Sequence, residues 1–267
     1  MLITAWWVLA SLELWGASGR EEYRVAAAKL GSELLDFQNT TFSGNQRKIR
    51  GFWYSSREDR TPFCDALFSA LPGIALLQLV RRLPDSPNAP RWRDALQLHL
   101  DEYVVPLAAR SSYEIVPYGI FDNTPTPETY RAFAGELTYR YFMPTRKEYW
   151  WLGINSHLEC YAVFLASAAQ IFGRRNYRDL AYRQLEWVMG ANPFSSCLMT
   201  GEGMRNPYPH SRYIGLIPGG IMNGIAGNAN DEPILDLNNQ MDWRTAEYWS
   251  PQNAYYEWAV SALEMPT

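Results

Sequence analysis

Glu247 stands where acid–base chemistry could be carried: four residues before Pro251, just outside a predicted terminal helix, and flanked by Trp243, Tyr248 and Trp249. A carboxyl group walled by aromatic rings loses hydration of its charged form, which favours the protonated acid. The N-terminus of the neighbouring helix acts in the opposite sense by stabilising negative charge. Proton donation and simple helix capping are therefore both open to Glu247. His210 and Arg212 form an H-x-R pair in a Pro- and Gly-rich run. Two-residue spacing aims both at one side of an extended segment, useful for gripping hydroxyls or a carboxylate. Asp59, Asp65 and Asp122 are further acids in or beside loops, and nothing in the sequence singles out one of them as a second catalytic carboxylate.

Other chemistries find no support. Asn228, Asn230, Asp231 and Asp236 are dense in oxygen ligands, but their spacing lacks the Gly and terminal Glu of a helix-loop-helix calcium site. Turn formation and backbone capping explain them better. There is no Ser/His/Asp signature, and Gly219, Gly220, Gly224 and Gly227 fit no strand-then-helix phosphate loop. Cys64, Cys160 and Cys197 give neither a disulfide framework nor metal-ligand spacing. His99 and His157 fall in helical patterns and read as structural. No cofactor and no metal are expected.

Composition bounds the answer further. The 267 residues, 47% hydrophobic and 19% charged, suit one domain spanning 1–267. A net charge of −4 gives no electrostatic footprint for nucleic acid. Most of the 11 Trp and 17 Tyr individually read as core, but so many also suit a sugar-binding cleft, where flat apolar faces stack. Trp53, Tyr54, Trp150 and Trp151 are candidate stacking platforms, with a place against the core equally open for each. The apolar N-terminus resembles a secretion signal, but it has no basic residue before Arg20 and Glu13 interrupts it. It is also too short for a membrane span. It reads as the first helix of the fold, cut into rather than begun, and no membrane partner is expected.

The positioning elements are helices. Three segments, Trp7 to Gln38, about Asp65 to Val105, and about Asn155 to Gly190, each read as a helix, a short break and a second helix. The second helices open with Tyr23-Arg24, Trp92-Arg93 and Tyr177-Arg178. Apolar residues recur at three- and four-residue spacing, and no comparable β-alternation appears. Short breaks make these antiparallel helical hairpins, so the class is all-α. Long inserts, Thr40 to Phe63 and Ser111 to Gly153, separate the hairpins. A run of roughly 60 residues from Gly190 to Ala254 precedes the last helix, Pro251 to Leu263, with Ser250 as its N-cap. A loop that long and that aromatic is a working surface rather than a linker.

The segment from Glu186 to Ala262 resembles the C-terminal end of family 9 glycoside hydrolases, the inverting endoglucanases and cellulases. The shared features are Gly190-Ala191-Asn192-Pro193, then Thr200-Gly201-Glu202-Gly203, Pro209-His210-Ser211-Arg212, a Pro-Gly-rich run, and Trp243, Glu247, Asn253 and Ala254 in register. The loop before His210 is about one residue short of the pattern. Trp249 replaces a small residue, and Asn238 stands where an Asp is usual, with Asp236 and Asp242 nearby. These departures mark a divergent branch. The resemblance implies an (α/α)6 toroid, of which about seven of twelve helices are present, with the N-terminal helices and general-base Asp outside these residues. It also implies Glu247 as the general acid, and His210, Arg212, Trp151 and Tyr248 as contacts to a β-glucan or cello-oligosaccharide. By the same resemblance the setting is extracellular or periplasmic, and the isolated chain has little hydrolytic activity. Two other readings are a polysaccharide lyase or sugar epimerase on an α-toroid, and a non-catalytic carbohydrate-binding scaffold.

Overall fold

The computed structural model describes residues 1–41, 49–58, 60–121, 129–134, 137–144, 152–209, 215–235, 237 and 242–265. All three predicted hairpins form. The first is α1 (Leu2–Ser18) with α2 (Glu21–Leu34), and α1 stops where Gly19 turns left-handed at φ 66 and donates its N–H to the Trp15 carbonyl. The second is α3 (Leu71–Arg82) with α4 (Ala89–His99), which continues through a π-helical turn, Leu100–Val104, into α5 (Val105–Ala108). The third is α6 (Asn155–Phe172) with α7 (Arg175–Val188). A one-turn helix α8 (Trp243–Ala246) and the terminal α9 (Ser250–Glu264) complete the α-helices among the described residues. The last helix starts one residue earlier than predicted, so Ser250 lies inside it and makes no capping bond. Pro251 still falls in the first turn, where its missing N–H is no loss.

Short strands, which the sequence reading did not anticipate, lie between the helices. β1 (Gly119–Phe121), β2 (Arg131–Ala134) and β3 (Leu137–Arg140) form an antiparallel sheet in the order β1-β3-β2. β4 (Ala226–Gly227) pairs with β5 (Pro233–Ile234). Each is two to four residues long, too short for alternation to register.

The helices are arranged as an arc. α1, α3, α6 and α9 lie side by side in that order, and α2, α4 and α7 back them. α6 is the centre of the row, and every residue from Asn155 to Ala166 is buried. The row is tight: a Cβ on Gly73 of α3 would sit 2.5 Å from the Phe164 ring of α6. Of the repeated aromatics of the second helices, Trp92 and Tyr177 are fully buried anchors, whereas Tyr23 is half-buried. The Tyr177 hydroxyl donates to Asp101 of the π-helical turn at 2.5 Å, tying α7 to the preceding hairpin.

Several sequence expectations resolve here. Trp53 is 2% exposed and belongs to the core, so it is not a sugar platform. Tyr54 is half-buried, and its hydroxyl accepts a bond from Asn39. Asp65 caps a local turn, accepting from the Leu67 and Phe68 amides at 2.8 Å. Asp59, Asp122, Trp150 and Trp151 lie outside the described residues. His99 and His157 are buried, the former 2.8 Å from the Gly51 carbonyl and stacked on Tyr103. No helix among the described residues is long and apolar enough to cross a membrane.

The two ends of the arc expose apolar surface. On α1, Ile3, Trp6, Trp7, Ala10, Leu14 and Ala17 form one exposed stripe, with Ile3 at 72% and Trp7 at 62%. Steps of four, three, four and three residues separate Ile3, Trp7, Ala10, Leu14 and Ala17, the spacing that helices use to meet other helices. At the other end α9 exposes Ala254, Trp258 and Ser261. The row is thus open at both edges.

Buried titratable groups set the pH response. Burial lowers His99 and His157 to about 4, so both fold neutral. Unfolded histidine titrates near 6.5, so their contribution is complete above that pH and is lost as pH falls toward about 4. Glu159 of α6 is fully buried, neither carboxyl oxygen has a hydrogen-bond partner among the described residues, and burial raises it well above the usual carboxylate range. Its sign is opposite: the folded state holds the proton that the unfolded state loses, so stability declines as pH rises past the ordinary value. Glu159→Gln should therefore gain on the parent as pH rises from 5 to 9, read by chemical denaturation, and a pH-independent difference would contradict this. Gly73→Ala should cost about 1–3 kcal/mol from overpacking against Phe164 despite the better helix propensity of Ala. Unchanged thermal stability would show that α3 and α6 are not in such close contact.

Candidate active site

A strap, residues 219 to 225, buried from Gly220 onward, organises the surroundings of Glu247. Along one edge the Asn223 amide donates to the Glu247 carbonyl at 2.9 Å and the Gly224 amide to the Thr245 carbonyl at 2.8 Å, with Met222 bridged to Tyr248. Along the other edge, the Gly219 amide donates to the Thr200 carbonyl, the Thr200 amide to the Gly220 carbonyl, and the Met222 amide to the Leu198 carbonyl. The N-terminus of α6 closes a third side: the Asn155 amide donates to the Asn223 carbonyl, and its side chain donates to Met222 at 2.9 Å. Gly224 adopts φ +91, and a Cβ there would lie 2.2 Å from the Asn155 side-chain oxygen, so only glycine fits.

Side chains lock this arrangement. Asn223 is fully buried, donates to the Trp243 carbonyl at 2.9 Å and accepts from Gln252 at 2.7 Å. It therefore joins the start of α8 to the first turn of α9, the two elements that bracket Glu247. Asn253 donates to the Gly219 carbonyl and accepts from the Ile221 amide. Asp242 caps α8, bonding the Arg244 amide, the Arg244 guanidinium at 2.9 Å and the Thr245 hydroxyl at 3.0 Å. Farther out, fully buried Asp231 accepts from the Tyr141 and Phe142 amides, and Arg140 donates to the carbonyls of Thr129, Asn228 and Ala229. These bonds tie the three-stranded sheet to the loop between β4 and β5. Asn228 accepts from the Asn230 and Glu232 amides, the turn-making role expected of it.

Glu247 follows α8 in extended conformation, φ −78 and ψ 141, and is half-buried. Trp249 is also extended, so the side chains of residues 247 and 249 point to the same side and that of 248 to the other. The Trp249 indole N–H donates to Glu247 Oε2 at 2.6 Å. Tyr248 turns away: its ring lies against Gly220, and its hydroxyl is 2.6 Å from that of Thr200. Trp243, the third flanking aromatic, is half-buried at the start of α8. His210, Arg212 and Trp151, like Asp236 and Asn238, lie outside the described residues. Exposed Met204, Tyr208, Leu216 and Ile217 stand on either side of the His210–Arg212 stretch in sequence. Among the described residues no group of three or more His, Cys, Asp or Glu side chains could hold a metal. A surface groove of about 460 Å³ beside Tyr182, Arg183 and Glu186 shares no residue with this region.

Sequence reasoning missed Asn223, Gln252 and Asn155, which hold the Glu247 segment, and took Thr200 only as part of the Thr200-Gly201-Glu202-Gly203 motif. Their partners, backbone and side-chain atoms alike, lie far away in sequence, so local pattern carries no trace of them. The same-side spacing of residues 247 and 249 was the one available signal, readable once the segment is taken as extended. The rigid result is a half-buried carboxyl with an indole donor on one oxygen, an arrangement able to give or take a proton. Asn223→Ala leaves the Trp243 carbonyl and the Gln252 amide without partners and should lower unfolding free energy by roughly 2–4 kcal/mol. A loss no larger than that of an exposed substitution would mean that the strap is held by its backbone bonds alone.

Comparison with known proteins gives the architecture. No protein-family model matches the chain, and no curated protein sequence does. Solved structures do match. The cellulase Cel9M of C. cellulolyticum, in complex with cellobiose, is 15% identical with a TM-score of 0.55, covering 96% of this chain and 49% of that one. A Bacteroides ovatus GH9 structure is 20% identical at a TM-score of 0.57, covering 97% and 40%. The endoglucanase of the termite Nasutitermes takasagoensis is 15% identical at 0.57, covering 96% and 49%. At these identities the likeness is one of fold. The arc of hairpins is an incomplete (α/α)6 toroid of the kind found in family 9 cellulases, and the chain spans half or less of the length of these neighbours.

Proposed function

We propose that this chain is the C-terminal part of a divergent family 9-type glycoside hydrolase that cleaves a β-glucan or cello-oligosaccharide with inversion. The observation that carries this reading is Glu247, a half-buried carboxyl fixed by the strap and α9 within a cellulase-type toroid. The motif register from Gly190 to Ala254 adds to it. Inverting hydrolysis needs one carboxylic acid to protonate the leaving oxygen and a second carboxylate, about 6.5–9.5 Å away, to activate water on the opposite sugar face. Glu247 takes the first role. The second belongs to a carboxylate in a segment outside these 267 residues. His210 and Arg212 grip sugar hydroxyls beside the bond cleaved, and Trp151 supplies a stacking face. Tyr248 takes part chiefly through its ring and its bond to Thr200, which hold the strand bearing Glu247.

The test uses the purified chain and cellotetraose. Titration should move the indole signals of Trp243 and Trp249 in a proton–nitrogen correlation spectrum without sugar release, and Glu247→Gln should leave the binding constant within about twofold, because an acid acting in the transition state contributes little to ground-state binding. No response at millimolar cellotetraose would sink the sugar-cleft reading. Release of inverted-anomer sugar by the chain alone would refute the missing base, and unsaturated products absorbing in the ultraviolet would point to a lyase.

A further inference from the structure

Trp249 bears on which end of the Glu247 carboxyl does chemistry. Its indole N–H reaches Glu247 Oε2 at 2.6 Å, and both residues are half-buried. Glu247 Oε1 has no protein partner among the described residues. An indole N–H is a donor only and accepts nothing. A protonated carboxyl has one carbonyl oxygen, which accepts well, and one hydroxyl oxygen, which donates. A donor seated on Oε2 therefore makes Oε2 the carbonyl oxygen and puts the proton on Oε1.

We propose that Trp249 is a positioning residue that locks the Glu247 side chain and assigns its transferable proton to Oε1. This rests on the reading of Glu247 as a general acid. In the step itself the Oε1–H bond breaks as its proton passes to the glycosidic oxygen. The C–O bond to the anomeric carbon breaks with its electron pair going to that oxygen, while water attacks the anomeric carbon and gives up a proton to the second carboxylate of the proposed inverting pair. The pair left behind on Glu247 spreads over both carboxyl oxygens, so charge grows on Oε2 under the indole N–H. A hydrogen bond to an ionised oxygen is about twice as strong as one to a neutral one, so the contact tightens as the proton leaves. Interactions that strengthen only along the reaction are the ones that accelerate it. The small residue that the family pattern has at position 249 cannot make this bond.

The experiment is a pH series of proton–nitrogen correlation spectra of the 267-residue chain. Trp249→Phe identifies one indole signal by its loss while the other ten of the 11 Trp confirm an intact fold. The Trp249 indole, which does not itself titrate, should follow a one-proton transition, and that transition should vanish in Glu247→Gln with the signal moved upfield. A Trp249 signal that ignores both pH and Glu247→Gln overturns the proposal. If Glu247→Gln disturbs the fold, the pH series of the parent still decides it. Failure of the glycosidase reading looks different: the one-proton transition is present, but cellotetraose moves no indole signal.

Discussion

Asn223 is the constraint on which the candidate site depends. A buried amide side chain must find partners for both its donor and its acceptor, and here those partners lie on the two elements that flank Glu247. Its backbone adds two more bonds, giving its N–H to the Glu247 carbonyl and taking the N–H of Asn155 from the head of the most buried helix. One residue thus couples the arc's central helix to the rim. The carboxyl stands on a loop, but that loop is held about as firmly as a strand in a sheet.

This coupling also explains the glycine-rich run after Pro218, which has no pattern of its own. Gly220 leaves room for the Tyr248 ring and Gly224 for the Asn155 side chain. The glycines do not cradle a phosphate. They allow a strap to pass between side chains whose hydrogen bonds hold the site together, with Tyr248 facing inward toward Thr200 and Glu247 and Trp249 facing the other way.

The hairpins were legible because Gly16 to Gly19, the Pro-rich break before Trp92, and Gly173 interrupt strong apolar periodicity. Glu247 was legible from its aromatic neighbours and its distance to Pro251. The short sheets were not, being below the length at which alternation rises above chance. Trp53 could not be read: a loop aromatic beside polar neighbours looks the same whether it faces water or, as here, fills the core behind Gly51 and His99. Glu159 did leave a sign, a lone acid in the run HLECYAVFLA, which periodicity alone passes over because it sits where a core residue should be. The network around Asn223 was beyond reach, since every partner is distant in sequence.

The stripe on α1 has a consequence for the life of the polypeptide. From Ile3 to Ala17 it presents about 21 Å of helix, at 1.5 Å per residue, with tryptophan and aliphatic side chains facing solvent. Chaperones and proteases monitor exposed apolar surface and do not distinguish a formed helix from a disordered one by that measure. A chain whose interior is as well packed as α6 thus still carries, on α1, surface of the kind that quality control engages, so a sound core alone does not make its exterior inert.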